Sequence, residues 1–251
     1  MKIWLIQLAR HYWKLVNPVA FIARNFISNV ARIGVRANNC LDVGAGTVPY
    51  AAHLGRFLGV RDYVAMDVAP TDRCTLVGDG CALPFRDASF ELVVSFDVVQ
   101  HVANSRAMTD EVVRVLKPGG HYLFTFPFLY AECDFHDYHR WTMEGMSDEL
   151  VRAGLEIVME QRRGGLFFAA TLGVNWFIQH MIPGARRSWR TERTMLGLLR
   201  AAFVMFLTVP TLALGWVGLL LDKLLPVRGC YMGGAVLARK SVHHVGMEPV
   251  L

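Results

Sequence analysis

Three short apolar runs in the first third of the chain each carry an acid at the point where they stop. Residues 40–43 contain Asp42 and lead into Gly44-Ala45-Gly46. Residues 63–66 end at Asp67, and residues 75–77 end near Asp79. Further apolar runs follow at 92–96, 122–126 and 155–160, with a late one at 231–238. Helix-like stretches separate the earlier runs. Pro49 stands near the start of one reaching to about Leu58, where proline is tolerated. A second spans 105–116, with Val112, Val113 and Leu116 inward, and stops at Lys117-Pro118-Gly119-Gly120. A third spans 143–153, with Thr142 as N-cap and Gly154 just past its end. Strands alternating with helices predict an α/β domain built on a mainly parallel sheet.

The acids and glycines then suggest chemistry. Glycines let a backbone turn tightly and approach a ligand at the carboxyl edge of a sheet. Asp67 follows Gly46 by 21 residues, a spacing that suits a carboxylate accepting both hydroxyls of a ribose. Asp79 ends the third run, where an acid can accept from an adenine amino group. A nicotinamide dinucleotide site would need Gly-x-Gly-x-x-Gly. Here Pro49 occupies the third position, and an aspartate stands two residues before the first glycine.

These motifs, with Gly78-Asp79-Gly80-Cys81-Ala82-Leu83-Pro84-Phe85 and Leu116-Lys117-Pro118-Gly119-Gly120, resemble class I S-adenosylmethionine-dependent methyltransferases of the small-molecule, type 11-like branch. The resemblance covers roughly residues 37–163 and 230–240. It implies a Rossmann-like, seven-stranded, mostly parallel sheet with one antiparallel strand. It further implies S-adenosylmethionine as cofactor, with Asp42, Gly44 and Gly46 around its methionine part, Asp67 at the ribose, and Asp79 with Gly80 at the adenine. Ser95 and Phe96 would lie beside it. Val48 departs from the usual third glycine of the family.

Methyl transfer requires alignment in a water-poor site, and a base only where the acceptor must lose a proton. Residues 132–142, ECDFHDYHRWT, form a dense polar cluster after the fifth run. The candidate catalytic residues are His136, Asp137 and His139 from this cluster, with His101 after the fourth run. Tyr138, Arg140 and Trp141 are candidate substrate contacts. Asp134 lies in the same cluster. Equally, Arg140 and Asp137 could simply tie the loop down, and His101 could be an ordinary helix residue. Cys133, His136 and His139 lack a second paired motif, so no metal is expected. Five scattered cysteines without a CxxC pair favour reduced thiols.

The remaining sequence is apolar and basic. Hydrophobic residues make up 53% and charged residues 19% of the chain, with a formal net charge of +5, so the excess apolar surface needs a core, a partner or lipid. Residues 1–36 read as a basic amphipathic helical segment. Trp4 and Trp13 stand among Lys2, Arg10 and Lys14, and no acid precedes Asp42. That pattern suits a membrane interface, a helix packed on the domain, or a transit peptide, but not a secretory signal. Residues 164–229 read as an apolar helical insertion, membrane-associating or a lid, and 241–251 as a tail.

Within the insertion, 201–221 carries no charged residue. If the flanking strands share one sheet, a single membrane crossing is excluded. Arg186, Arg187, Arg190, Arg193 and Arg200 oppose a double one. Pro210 would divide the run into two half-helices dipping into one leaflet. A soluble lid or a dimer interface is the alternative.

The expected function is therefore methyl transfer to a lipid, quinone-like or lipid-linked small-molecule acceptor at a membrane surface, monotopic or peripheral on the cytoplasmic face. An RNA or protein methyltransferase and an inactive cofactor-binding membrane adaptor are the alternatives. Nucleic acid is the less favoured partner, because Ser95-Phe96-Asp97-Val98 lacks the pattern of enzymes methylating DNA amines. The oligomeric state is left open.

Overall fold

The computed structural model describes residues 18–46, 50–71, 73–132, 136–181 and 195–242. The expectations on residues 1–17, Val48, Pro49, Cys133, Asp134, the arginines at 186–193 and the tail beyond 242 lie outside them. Helix α1 (Pro18–Arg32) precedes β1 (Asn39–Val43), α2 (Ala51–Leu58), β2 (Asp62–Asp67), β3 (Leu76–Val77) and β4 (Phe90–Phe96). A short 3-10 turn (Val99–His101), α3 (Ser105–Val115), β5 (Leu116–Pro127), α4 (Met143–Arg152) and β6 (Leu155–Arg163) follow. Helices α5 (Leu166–Met181) and α6 (Met195–Leu224) come before the final strand, β7 (Gly233–Lys240).

The seven strands form one sheet in the order β3-β2-β1-β4-β5-β7-β6. β1 pairs in parallel with both β2 and β4, and β4 in parallel with β5, whereas β7 runs antiparallel to β5. This is the Rossmann-like sheet that the sequence predicts. The strand order reverses between β1 and β4, which opens a crevice beyond their carboxyl ends. Beneath it, Phe26, Ile27 and Val30 of α1 and Leu54 and Leu58 of α2 pack on Cys40, Leu92, Val94 and Leu123. Burying each such side chain stabilises the fold by roughly 1.5–3 kcal/mol.

Two local readings change. Lys117-Pro118-Gly119-Gly120 is not a turn before the fifth strand but the irregular start of β5. Pairing slips there, so Phe90 faces Leu116 and Leu92 faces His121. Gly119 has φ +78°, and a Cβ on Gly120 would stand 2.9 Å from the Lys117 carbonyl oxygen and 3.2 Å from that of Glu91. The glycines therefore make a bulge against β4. In α3, Val115 and Met108 are fully buried beside Val112, whereas Val113 is half-buried.

The chain divides into two compact units. Of the described residues, the sheet unit comprises those within 23–128, 132–162 and 233–242, and the second comprises those within 18–22, 129–131 and 163–232. In the second, Asp222 near the end of α6 caps the start of α5. Its carboxylate accepts from the backbone N–H groups of Gly165 (2.7 Å), Phe167 (2.9 Å) and Phe168 (3.1 Å). A carboxylate there satisfies orphan donors and complements the helix dipole. The contact also makes the two helices antiparallel. Gly218 sets their closeness, since a Cβ there would stand 3.0 Å from Phe168 Cα. Pro210 does not divide the apolar run: α6 is one helix of 30 residues. Its exposed ring costs one backbone hydrogen bond, about 3 kcal/mol in a helix interior, which packing along α5 offsets. Among residues with described side chains, no helix is long and apolar enough to cross a membrane.

Candidate active site

The site grows from the carboxyl ends of β1 and β2. β1 is buried on both faces, so Asp42 is held at 2% exposure inside the sheet unit. The Tyr63 hydroxyl donates to it from β2. Burial pushes the Asp42 carboxyl up to about 7. The Tyr63 hydrogen bond opposes that shift and the nearby Asp67 charge reinforces it. Tyr63 titrates far above its ordinary range, first from burial and then from the Asp42 charge.

The two glycines of the turn have different duties. Gly44 (φ +74°) donates its N–H to the Met66 carbonyl at 2.8 Å, and a Cβ there would come within 2.7 Å of Val98 Cγ1. The loop after β4 thus lies directly on the turn after β1. Among the described residues, a Cβ on Gly46 (φ +57°) would meet nothing closer than 4.0 Å, which leaves room there for a ligand. Its N–H donates to Asp67 Oδ2 at 2.8 Å, and its carbonyl accepts from Thr71 Oγ1 at 3.0 Å. Asp67 Oδ1 accepts from Ala69 N at 3.1 Å. The acid at the end of β2 therefore shapes the turn and still presents a half-exposed carboxylate. Asp79 is exposed, and its Oδ1 accepts from Cys81 N at 2.9 Å. Gly80 beside it passes close to Val43 and Met108. An open positive-φ glycine flanked by carboxylates fits a bound cofactor with a ribose.

β4 and β5 bring the second half of the site together. Asp97, just past β4, adopts the left-handed conformation (φ +55°). Its N–H is held by the Thr125 hydroxyl at 2.9 Å. Gln100 follows, buried, donating to the Asp97 carbonyl at 2.7 Å, and its Oε1 has no hydrogen-bond partner among the described residues. The loop after β5 docks on this turn. Tyr138 N donates to Gln100 O at 2.8 Å, His101 Nδ1 meets His136 O at 2.8 Å, and His139 Nε2 meets Ala103 O at 3.1 Å. A carbonyl partner fixes a ring proton. Neutral His101 therefore carries its proton on Nδ1 and presents a basic Nε2. His139 carries its proton on Nε2 and presents Nδ1.

Chain comparisons fit this geometry. A methyltransferase-domain family matches residues 41–124. An uncharacterized methyltransferase of Mycobacterium sp. (strain JLS) is 29% identical over 120 residues, covering 45% of this chain and 48% of the relative. The "Probable phthiotriol/phenolphthiotriol dimycocerosates methyltransferase 2" of Mycobacterium ulcerans is 31% identical over 96 residues, 34% of this chain and 37% of that protein. The chain thus spans about half or less of the length of these curated relatives. Among solved structures, phosphoethanolamine N-methyltransferase 2 of Haemonchus contortus, in complex with S-adenosyl-L-methionine, aligns with a TM-score of 0.51 and 17% identity. That alignment covers 84% of this chain and 51% of that one. The [4+2]-cyclase SpnF aligns at 0.56 and 16%, covering 88% and 81%. The sheet unit has the class I S-adenosylmethionine-dependent methyltransferase fold, and its residues 41–124 match a methyltransferase-domain family.

Within this methyltransferase fold the expected residues divide sharply. Asp42, Gly44, Gly46 and Asp67 converge on one turn, and His101, His136, Asp137, Tyr138 and His139 on another. Ser95 belongs to neither. It is fully buried in β4, so it serves the core rather than standing open beside a cofactor. Phe96, one residue on, is half-exposed and packs on Tyr50 with ring centroids 4.3 Å apart. Asp137 is not poised as a base. Its side chain is 1% exposed and forms a two-pronged ion pair with Arg140, whose second prong spans 2.6 Å. The pair clasps the loop. Trp141 is likewise anchored, its indole N–H donating to Glu149 at 3.0 Å with the ring between Phe126 and His139. His136 and Tyr138 stack in parallel and are exposed. Among the described residues no cluster of three or more candidate ligands could hold a metal ion.

Sequence reasoning missed Tyr63, Thr71, Val98, Gln100 and Thr125. Tyr63 faces Cys40 across the sheet. Cys40 and Asp42 share a strand face, so the parallel register alone would have linked Tyr63 to Asp42.

Proposed function

We propose that the chain is an S-adenosylmethionine-dependent methyltransferase whose acceptor is a lipid, quinone-like or lipid-linked small molecule at a membrane surface. The tie between Gly46 and Asp67, beside open space at the switch point of the sheet, carries the enzymatic part. The mycobacterial relative named for phthiotriol dimycocerosates supports the lipid part. When bound, S-adenosylmethionine supplies a methyl group activated by its sulfonium. Gly46, Asp67 and Asp79 hold and orient the donor. The clasped loop and the turn at 97–101 position the acceptor and exclude water. A protonated acceptor passes its proton to Nε2 of His101, whose ring is oriented by the His136 carbonyl.

Incubating the protein with methyl-labelled S-adenosylmethionine and separate lipid, RNA and protein fractions tests this reading. Label is expected in the lipid fraction. Label only in RNA or protein would overturn the acceptor class. Cofactor binding without transfer to any fraction would favour the adaptor, and failure to bind the cofactor would overturn the enzyme reading itself.

A further inference from the structure

We infer that α6 is an in-plane docking helix, and that its outward face lies in the leaflet of an anionic lipid bilayer. The inference rests on the proposed membrane-surface reading for its meaning, but its evidence is separate.

The helix has two unlike faces. Thr211, Gly215 and Gly218 are buried, and Gly218 allows the backbone of α5 to approach. On the opposite side Phe206, Leu214, Val217, Leu220 and Leu224 are each at least half exposed, with Phe206 at 74% and Leu224 at 65%. Their spacing of three, four and eight residues keeps them on one stripe. From 206 to 224 the stripe runs about 27 Å at 1.5 Å per residue. A monomer seldom leaves so long an apolar face in water.

Charge selects the occupant. Between Arg163 and Met232 the sequence holds eight Lys or Arg and two Asp or Glu. One of those acids, Asp222, is consumed in capping α5. Residues 42–162 and 233–251 hold twelve basic and nineteen acidic side chains, a net of −7. The basic excess thus lies in two stretches, residues 1–41, with six basic and no acidic side chains, and residues 163–232, which carry the apolar stripe. A second copy docked there would bring two cationic stretches together, whereas an anionic leaflet offers acyl chains to the stripe and phosphates to the cations. Exposed Lys223 and Arg228 stand at the carboxyl end of the stripe, suited to headgroup depth. Because the other face of α6 is packed against α5, the helix has one side to offer lipid. That favours lying in the interface over spanning the bilayer.

The test is flotation of the full chain with vesicles of phosphatidylcholine alone and of phosphatidylcholine with phosphatidylglycerol. Binding is expected to the anionic vesicles, to weaken with salt, and to fall at least tenfold in the double variant V217E/L220E. That variant should keep its circular dichroism spectrum and its S-adenosylmethionine affinity, since both side chains are exposed. Spin labels at 206, 217 and 224 should sit at one common depth. Indifference of the wild-type chain to both vesicles would overturn the inference. So would labels at graded depths, which mean a spanning helix, or a dimer that V217E/L220E dissolves without any vesicle binding. If vesicles bind but label from the methyl donor enters only RNA or protein, the docking face stands and the proposed acceptor falls.

Discussion

Gly46 donates its backbone N–H to Asp67 Oδ2 at 2.8 Å, which ties the turn after β1 to the end of β2. One carboxylate thereby shapes the turn and faces the space where a ribose would lie. Asp67→Ala should weaken S-adenosylmethionine binding by about 10–100-fold, the scale of losing charge-assisted hydrogen bonds. Calorimetric titration measures the affinity. An unchanged affinity would remove Asp67 from the site.

The neighbouring glycines should fail in different ways. Gly44→Ala combines a left-handed backbone with overlap of Val98. It should cost about 2–4 kcal/mol of stability from strain and overpacking, and Val98→Ala should recover part of that in a double-mutant cycle. Gly46→Ala has room for its methyl and should cost only about 1–2 kcal/mol, mostly conformational. Its larger effect should fall on cofactor affinity. Urea denaturation and calorimetric titration together separate these outcomes.

Asp42 makes stability depend on pH. Its folded carboxyl titrates at about 7, above the ordinary value near 3.9 that an unfolded chain shows. The folded state thus binds the proton more tightly. This contribution is fully present below about pH 4 and is lost as pH rises through 7, by up to about 4 kcal/mol. Asp42→Asn should flatten stability over that window and leave the variant the more stable protein at pH 8. A wild-type stability that rises from pH 4 to 7 along with the variant's would contradict the assignment.

The Asp137–Arg140 clasp predicts loss of order rather than loss of a base. Asp137→Ala strands a partly buried guanidinium and should lower stability by about 3–5 kcal/mol. Arg140→Lys should restore little, because a point charge cannot reproduce a two-pronged pair. A catalytic base would behave otherwise, with Asp137→Asn abolishing turnover at unchanged melting temperature. Thermal melts beside single-turnover rates distinguish the two.

What was legible in the sequence was local. Gly44, Gly46, Asp67 and Asp79 stood out because turn chemistry and strand-end acids are written in a few adjacent residues. Thr142 caps α4 by accepting from Gly145 N at 3.1 Å, as its position before a helix suggests. Features set by tertiary pairing were not legible. Lys117 to Gly120 look like a stop until β4 draws them into a bulge. Ser95 looks like a strand-end site residue until burial on both sheet faces encloses it. Pro210 looks like a break, yet α6 continues through it along α5. Tyr63 and Val98 gain meaning only from register and loop docking, and the Gln100 oxygen only from its burial.

The most direct measurement is methyl transfer from labelled S-adenosylmethionine into lipid presented in anionic vesicles, comparing the wild-type chain with Asp67→Ala and His101→Ala. Lipid labelling is expected from the wild-type chain. Asp67→Ala should lose it through raised KM for the donor, and His101→Ala through lowered kcat that recovers as pH rises. Cofactor binding without lipid labelling, or labelling indifferent to both substitutions, would contradict the account.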